Sequence, residues 1–313
     1  MIQLVDAPVS NPPPFDGEAM LVGLARNCAH SIEAAVHRFM AAIPPFRRVH
    51  WYVIESDSDD DTLAALGRLR DTVKNFNFVS LGRLRDRLPL RTARLAVCRN
   101  RYLEEVKARL KGEQLSYVLV ADLDGINPLV SPASLASCWN RTGWDVCTAN
   151  QAGPYYDIWA LRHPEWCPGD CFKEAAFLKR HGRSGPGAGL AAVYAKMIRI
   201  AADADWIEVD SAFGGLAVYR AEVLAKVAYV GLCEDGSEVC EHVPLHQQIR
   251  SAGGRIFINP AMINAGLTEH SQFWADRAAT AAEANHPLFR AFLRIALGKE
   301  RRRAFRHMLE SAS

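Results

Sequence analysis

Two aspartates, Asp122 and Asp124, stand two residues apart at the end of the apolar run Tyr117–Ala121 and are followed by Gly125. Alternate residues of an extended chain point the same way, so at a strand end both carboxylates can converge on one cation. Two hard oxygen donors suit Mg²⁺ or Mn²⁺, which keeps several waters and bridges to substrate phosphates. The competing reading of Asp-x-Asp is an ordinary surface turn, and the apolar run before it favours the metal site. Further polar groups follow other apolar runs. Ala25, Arg26 and Asn27 close the run from Met20, and Glu55, Ser56 and Asp57 follow Val49–Ile54. In open α/β sheets ligands bind beyond the carboxyl ends of the strands, so these residues are candidates for holding a nucleoside. For the acidic run Glu55–Asp61 the alternative is a solvated turn in which Asp61 caps the next helix.

The elements that would position these groups alternate. The runs Met20–Ala25, Val49–Ile54, Phe76–Leu81 and Tyr117–Ala121 read as buried strands. Between them lie helical patterns from Ser31 (a plausible cap) to Ala42, through Leu63–Leu69, and from Arg91 to Leu110. Strands alternating with helices of this length predict βαβ units and a mostly parallel sheet. Beyond Asp124 the pattern is mixed. Strands are expected at Asp145–Asn150, Trp206–Val209, Phe213–Tyr219 and Gly254–Pro260. Helices are expected around Leu190–Ala202 and Val243–Ala252, with a Gly-rich loop at Gly182–Gly189. The hexapeptide Leu66–Asp71 recurs as Leu81–Asp86, and one short copy pair does not make a repeat architecture. The division expected is an irregular proline-rich segment 1–18, a single continuous α/β domain 19–275 and a basic helical segment 276–313. Within the domain, 19–125 is the nucleotide-binding half and 126–275 the acceptor and donor-sugar half.

Composition narrows the class. The chain has 313 residues, 49% hydrophobic and 23% charged, with a formal net charge of +2, which argues against wholesale nucleic-acid binding. It contains no run of 18 apolar residues, so no membrane span is expected. The first residues lack the basic-then-apolar order of a signal peptide. Eight cysteines without a C-x-x-C pair then read as reduced, mostly buried thiols. The expected compartment is the cytosol. From Arg290 to Arg306 there are seven Lys or Arg and one acid, Glu300. Such a segment reads as a helix lying on the inner face of an anionic membrane, or packing Phe289, Phe292 and Leu293 on its own domain.

The order of these parts resembles the nucleotide-binding half of a GT-A fold glycosyltransferase: a strand then Arg26-Asn27, a strand then Glu55–Asp59, Arg99-Asn100, then a strand ending Asp122-Leu123-Asp124. The second half is similar too. Gly214-Gly215 resembles the glycine loop that approaches the donor sugar, where glycine permits close backbone approach. Cys240-Glu241-His242, a helix and Gly253–Pro260 resemble the family's later segment. His270 falls where many such enzymes place a histidine that completes the metal shell. The resemblance implies Arg99 beside the nucleotide and Glu241 and His242 toward the acceptor. It departs at His242, where the family carries an aspartate that is often the base of inverting members. Tyr155–Arg162 also resembles the capsule-associated α-mannosyltransferases of fungi, a retaining type. There Asp157 and Arg162 are candidates for sugar hydroxyls or for an internal salt bridge. Trp159, Trp166 and Trp206 are candidates for stacking on sugar rings or for core packing.

The expected activity is therefore transfer of a sugar from a UDP- or GDP-sugar, with Mn²⁺ or Mg²⁺, to a glycan or lipid-linked acceptor in surface polysaccharide or glycolipid synthesis. One rival, a sugar nucleotidyltransferase, would want a glycine-rich loop after the first strand, and Ala25-Arg26-Asn27-Cys28 has none. The other is a non-catalytic nucleotide- or carbohydrate-binding protein on the same fold, which the His242 departure leaves open.

Overall fold

The computed structural model describes residues 15–112 and 115–271. The expected segments 1–18, in its first fourteen residues, and 276–313 lie outside the described residues, as does the basic helix expected after Pro287. In chain order the elements are β1 (Glu18–Ala25), α1 (Ile32–Ala42), β2 (Arg48–Glu55), α2 (Thr62–Thr72), β3 (Phe76–Ser80), α3 (Arg91–Leu110), β4 (Leu115–Asp122), α4 (Pro132–Ala136) and β5 (Val146–Gln151). They continue with α5 (Cys171–Arg180), α6 (Gly185–Ala192), β6 (Ile207–Val209), β7 (Leu216–Arg220), α7 (His242–Ser251) and β8 (Ile256–Ala265).

All eight strands form one sheet in the order β3-β2-β1-β4-β7-β5-β8-β6. β7 runs against its neighbours β4 and β5, and β6 runs against β8; the other pairings are parallel. This is the mostly parallel α/β sheet predicted from the alternation of strands and helices. The apolar runs are continuous because both faces of the sheet are covered. Met20 and Val22 of β1 pack with Val118 and Val120 of β4 and with Tyr102 and Leu103 of α3. Ala19, Leu21, Leu119 and Ala121 point to the other face, with Ile32, Val36 and Phe39 of α1 and Leu66 and Leu69 of α2. The eight cysteines are free thiols, all buried except Cys233. No helix of the described residues is long and apolar enough to cross a membrane.

Several local expectations are corrected. Ser31 precedes α1 but makes no side-chain cap; its hydroxyl donates to the Cys28 carbonyl instead. Asp61 does not cap α2 with its side chain either; Asp60 accepts from the Thr62 amide at 3.0 Å in its place. The expected Gly182–Gly189 loop is largely helix α6, started by Ser184, whose hydroxyl accepts from the Gly187 amide, with Pro186 in its first turn. The helix expected to Ala202 ends at Ala192, with a single tight turn at Tyr194–Lys196. Phe213–Gly215 is loop, and the strand begins at Leu216. The two LGRLRD copies fold differently, the first within α2 and the second as a loop and a short turn.

Candidate functional site

The carboxyl ends of β1, β2 and β4 open onto a cleft of about 1240 Å³. Ala25, Arg26, Asp57, Arg99, Asp122, Asp124, Asp157, Trp159, Glu241, His242 and His270 all line it. Residues separated by up to 245 positions are thus gathered at one rim, as expected for strands that all end on the same side.

Asp122 is the last residue of β4. Its backbone amide donates to the Gly215 carbonyl at 3.0 Å, and its carboxylate lies 3.5 Å from the Arg99 guanidinium. Burial pushes the Asp122 carboxyl up to about 7, and Asp124, Asp157 and Glu241 push the same way against the pull of Arg99. The neighbourhood is short of positive charge. Among the described residues no three His, Cys, Asp or Glu side chains are gathered closely enough to hold a metal by themselves. Two carboxylates nevertheless fit a hard divalent ion that completes its shell with water and phosphate oxygens. That ion would offset the burial and the neighbouring carboxylates that raise the Asp122 carboxyl. His270 is exposed and its ring stacks on Tyr156 at 5.5 Å between centroids, on the same cleft wall.

Arg99 is buried on α3. Its Nε donates to Glu241 at 2.8 Å, one Nη donates to the Tyr102 hydroxyl at 3.2 Å, and its guanidinium lies over the Phe213 and Tyr229 rings. The Tyr102 hydroxyl donates in turn to the Tyr229 hydroxyl. Beside it Asn100 exchanges two hydrogen bonds with the Tyr229 backbone, which ties α3 to the second half of the chain. His242 is 2% exposed, and its ring stacks on Phe213 at 3.9 Å. Neither ring nitrogen has a hydrogen-bond partner. Burial, with Arg99 and His246 adding to it, holds its pKa well below the usual imidazole range, so it is uncharged at neutral pH and a poor proton acceptor.

Gly214 and Gly215 have φ of +69° and +84°. A Cβ on Gly215 would stand 2.9 Å from the Tyr156 hydroxyl and 3.1 Å from Ile126. The Gly214 amide donates to Asp157 at 2.9 Å, which aims that carboxylate along the loop. Burial raises the Asp157 pKa, with the Gly214 and Ala160 amides opposing. Three buried amides fasten this loop to the aspartate turn. The Asn127 side chain donates to the carbonyls of Asp122 (2.7 Å) and Gly215 (3.0 Å). Asn264 donates to the Asn127 side chain and to the Gly214 carbonyl, each at 2.7 Å. Gln151 donates to the Asn264 side chain at 3.1 Å.

Seven residues expected to meet ligand are engaged wholly or partly within the protein. Glu55 is buried, accepts from the Ser58 amide at 3.0 Å and from the Ser80 hydroxyl, and shapes the acidic turn rather than lining the cleft. Asn27, with φ +48°, accepts from the Asp59 amide and likewise knits two turns together. Asp57 lines the cleft, yet its carboxylate accepts from the Arg85 amide at 2.9 Å and lies 3.6 Å from Arg94. Arg162 donates to the Trp159 and Leu161 carbonyls and pairs with Asp170, the loop-supporting salt bridge that was the alternative reading. Trp159 gives its Nε1–H to Asp170 and offers the cleft only its ring. Trp166 donates to the Lys196 carbonyl and Trp206 packs on Phe257, both away from the cleft.

Arg91, Arg94 and the three amides were not singled out in the sequence. The signal for the amides was present in Asn150-Gln151 and in Asn259 and Asn264, polar residues inside apolar strand patterns that must find partners once buried.

No family model matches the chain, and comparison with curated protein sequences finds no match either. Among solved structures, the chain is similar to a mannosyltransferase of Pyrobaculum calidifontis, PcManGT, in complex with GDP-Man and Mn²⁺. The identity is 14%, over 96% of this chain and 87% of that one, with a TM-score of 0.48. It is similar to S. aureus TarS at 13% identity over 86% of this chain and 66% of that one, TM-score 0.46. A third likeness is to glucosyl-3-phosphoglycerate synthase of Mycobacterium tuberculosis in complex with UDP. There the identity is 14%, over 80% of this chain and 69% of that one, TM-score 0.38.

Proposed function

We propose that this protein is a metal-assisted glycosyltransferase of the GT-A type, taking its sugar from a UDP- or GDP-sugar. The acceptor is a glycan or glycolipid of a surface polysaccharide pathway. The observation that carries this reading is electrostatic. Asp122, Asp124, Asp157 and Glu241 surround one end of the cleft, with a single buried guanidinium, Arg99, against them. Such a site lowers its free energy by taking up a cation.

Asp122 and Asp124 would hold Mn²⁺ or Mg²⁺; His270, exposed and stacked on Tyr156 at the cleft mouth, is not gathered with them as a third ligand. When bound, the ion neutralises charge developing on the leaving diphosphate. The residues of the chain have separate tasks. Arg26 on the rim adds positive charge beside the phosphates, and Asp57, held by the Arg85 amide and Arg94, supports the cleft wall beside the nucleoside. The bare Gly214-Gly215 loop lets Gln151, Tyr156 and Ile126 close against it, and Asp157, aimed by the Gly214 amide, can accept from a sugar hydroxyl. Arg99 holds Glu241 in place while reaching Asp122. His242 is too deeply desolvated to act as the proton acceptor of an inverting reaction and serves as an uncharged wall beside the acceptor.

The test is thermal unfolding with a panel of nucleotide sugars, with and without Mn²⁺, alongside slow donor hydrolysis. A matched donor at a hundredfold its Kd should add ~2.7 kcal/mol of stability. Asp124→Asn should remove the Mn²⁺-dependent part of that shift and slow hydrolysis by roughly 10²-fold. Binding without any hydrolysis would instead favour a non-catalytic nucleotide-sugar binder.

A further inference from the structure

The cleft wall built by α5, α6 and the turn after them differs in chemistry from the rest. Phe172, Ala175, Val193, Tyr194 and Met197 line it, and Gly185 and Gly189 present bare backbone. Lys179 is the one charged side chain that residues 171–197 contribute to the cleft lining. On α5 the lining residues Cys171, Phe172, Ala175 and Lys179 recur at helical spacing, so a single face of that helix looks into the cleft.

Three details mark this wall as open space rather than filled core. Phe172 is 53% exposed, an unusual fate for a large aromatic side chain at a cleft mouth. A Cβ added at Gly189 would meet nothing within 4 Å, and one at Gly185 would meet only the Lys179 chain, at 3.8 Å. Behind them the two helices close on alanines, Ala175 against Ala188 and Ala192. Small residues there let α5 and α6 pack tightly, while the cleft side is left as a shallow apolar groove.

A sugar ring needs partners for its hydroxyls, since polar groups moved out of water without replacement bonds are costly. The side-chain polar groups of this wall are only the Lys179 ammonium, the Tyr194 hydroxyl and the Cys171 thiol, and the Trp159 Nε1–H that borders it is already given to Asp170. The groove is continuous with the end of the cleft that holds Asp122 and Asp157. We infer that the α5–α6 groove binds an aliphatic chain attached to the acceptor, so that the acceptor is an amphiphile with a sugar head and an apolar tail. This deepens the transferase reading and rests on it for the role of acceptor; the binding itself does not require turnover.

The experiment titrates the full-length protein with octyl β-D-glucopyranoside and methyl β-D-glucopyranoside below micelle-forming concentrations, reading tryptophan fluorescence. The octyl compound should bind saturably and at least about tenfold more tightly than the methyl compound, because each buried methylene adds to affinity. Gly189→Leu, which fills the groove and replaces a helical glycine with a better helix former, should weaken octyl binding by roughly fivefold or more. Phe172→Ser should act in the same direction, and neither substitution should change binding of the methyl compound. Equal binding of the two glycosides, or octyl binding that survives both substitutions, overturns the inference. Donor hydrolysis by the same preparation separates the two readings. Hydrolysis without octyl preference removes the groove alone, and octyl preference without hydrolysis removes the transferase alone.

Discussion

The strands β3-β2-β1-β4 and the strands β7-β5-β8-β6 share one sheet but are built differently. The first four are all parallel and joined by long amphipathic helices, and their middles are mostly Leu, Val, Ile, Met and aromatic residues, with the buried polar groups Glu18, His50 and Glu55 toward the strand ends. The second four mix directions, and two of them carry buried amides: Asn150 and Gln151 in β5, Asn259 and Asn264 in β8. The first set is held mostly by packing, which is tolerant of detail, with the Glu18–His50 bond at its amino-terminal edge. The second adds directed hydrogen bonds between loop ends, where losing one partner strands another. The Asp122 turn and the Gly214-Gly215 loop lie where the two kinds of construction meet.

The comparison is broken most severely at the tie between the halves. Arg99 on α3 and Glu241 before α7 are each 5% exposed in their side chains. Removing one member of such a buried pair costs ~3–5 kcal/mol because the other charge is left unpaired. Arg99→Met should therefore lower the urea midpoint sharply, and the double variant Arg99→Met/Glu241→Leu should recover part of the loss. A double variant as unstable as the single would show that the pair's charge is not the cause.

Acidity offers a gentler probe of the same seam. The Asp122 carboxyl, raised to about 7, must lose its proton before it can ligate a cation. Mn²⁺ affinity should fall about tenfold per pH unit below that value. Without metal the sign reverses for stability. A carboxyl with a raised folded pKa favours the fold while protonated, and that contribution is lost as pH rises through about 7. Asp122→Asn should thus unfold at higher temperature than the parent in metal-free buffer at pH 8, with the gap closing at pH 4. Mn²⁺ titrations at several pH values and scanning calorimetry check both statements. A flat Mn²⁺ profile between pH 5.5 and 7.5 would contradict the first.

Two glycines sharpen the contrast at smaller cost. Gly215→Ala places a side chain at φ +84° and 2.9 Å from the Tyr156 hydroxyl, and should destabilise by ~1–3 kcal/mol. Gly67→Ala sits within α2, where an added Cβ meets nothing within 4 Å, and should stabilise by ~0.5–1 kcal/mol. Denaturant titrations of the two variants should move in opposite directions.

The same contrast explains what the amino-acid order discloses. β1 to β4 and α3 read directly because a strand covered on both faces is one unbroken apolar run. α6 hides because Gly185-Pro186-Gly187-Ala188-Gly189 carries loop composition; only its proline in the first turn and the Ser184 cap betray a helix. α5 lies in a stretch where the apolar pattern predicts no element. In the site, Asp122 and Asp124 are legible because the end of their strand and the turn after it place both at the cleft. Glu55 occupies the analogous strand end, yet its carboxylate folds back onto Ser58 and Ser80, a choice made by neighbours distant in sequence. Arg162 is likewise claimed by Asp170.

Asn127, Asn264 and Gln151 leave the loop that would meet the phosphates and the loop that would meet the sugar without independent freedom. Both hang from the same three side-chain amides, so they must shift as one plate. A molecule that grips either end therefore stiffens the other, and backbone proton exchange at Gly215 and Ile126 would slow together when only a nucleotide is added.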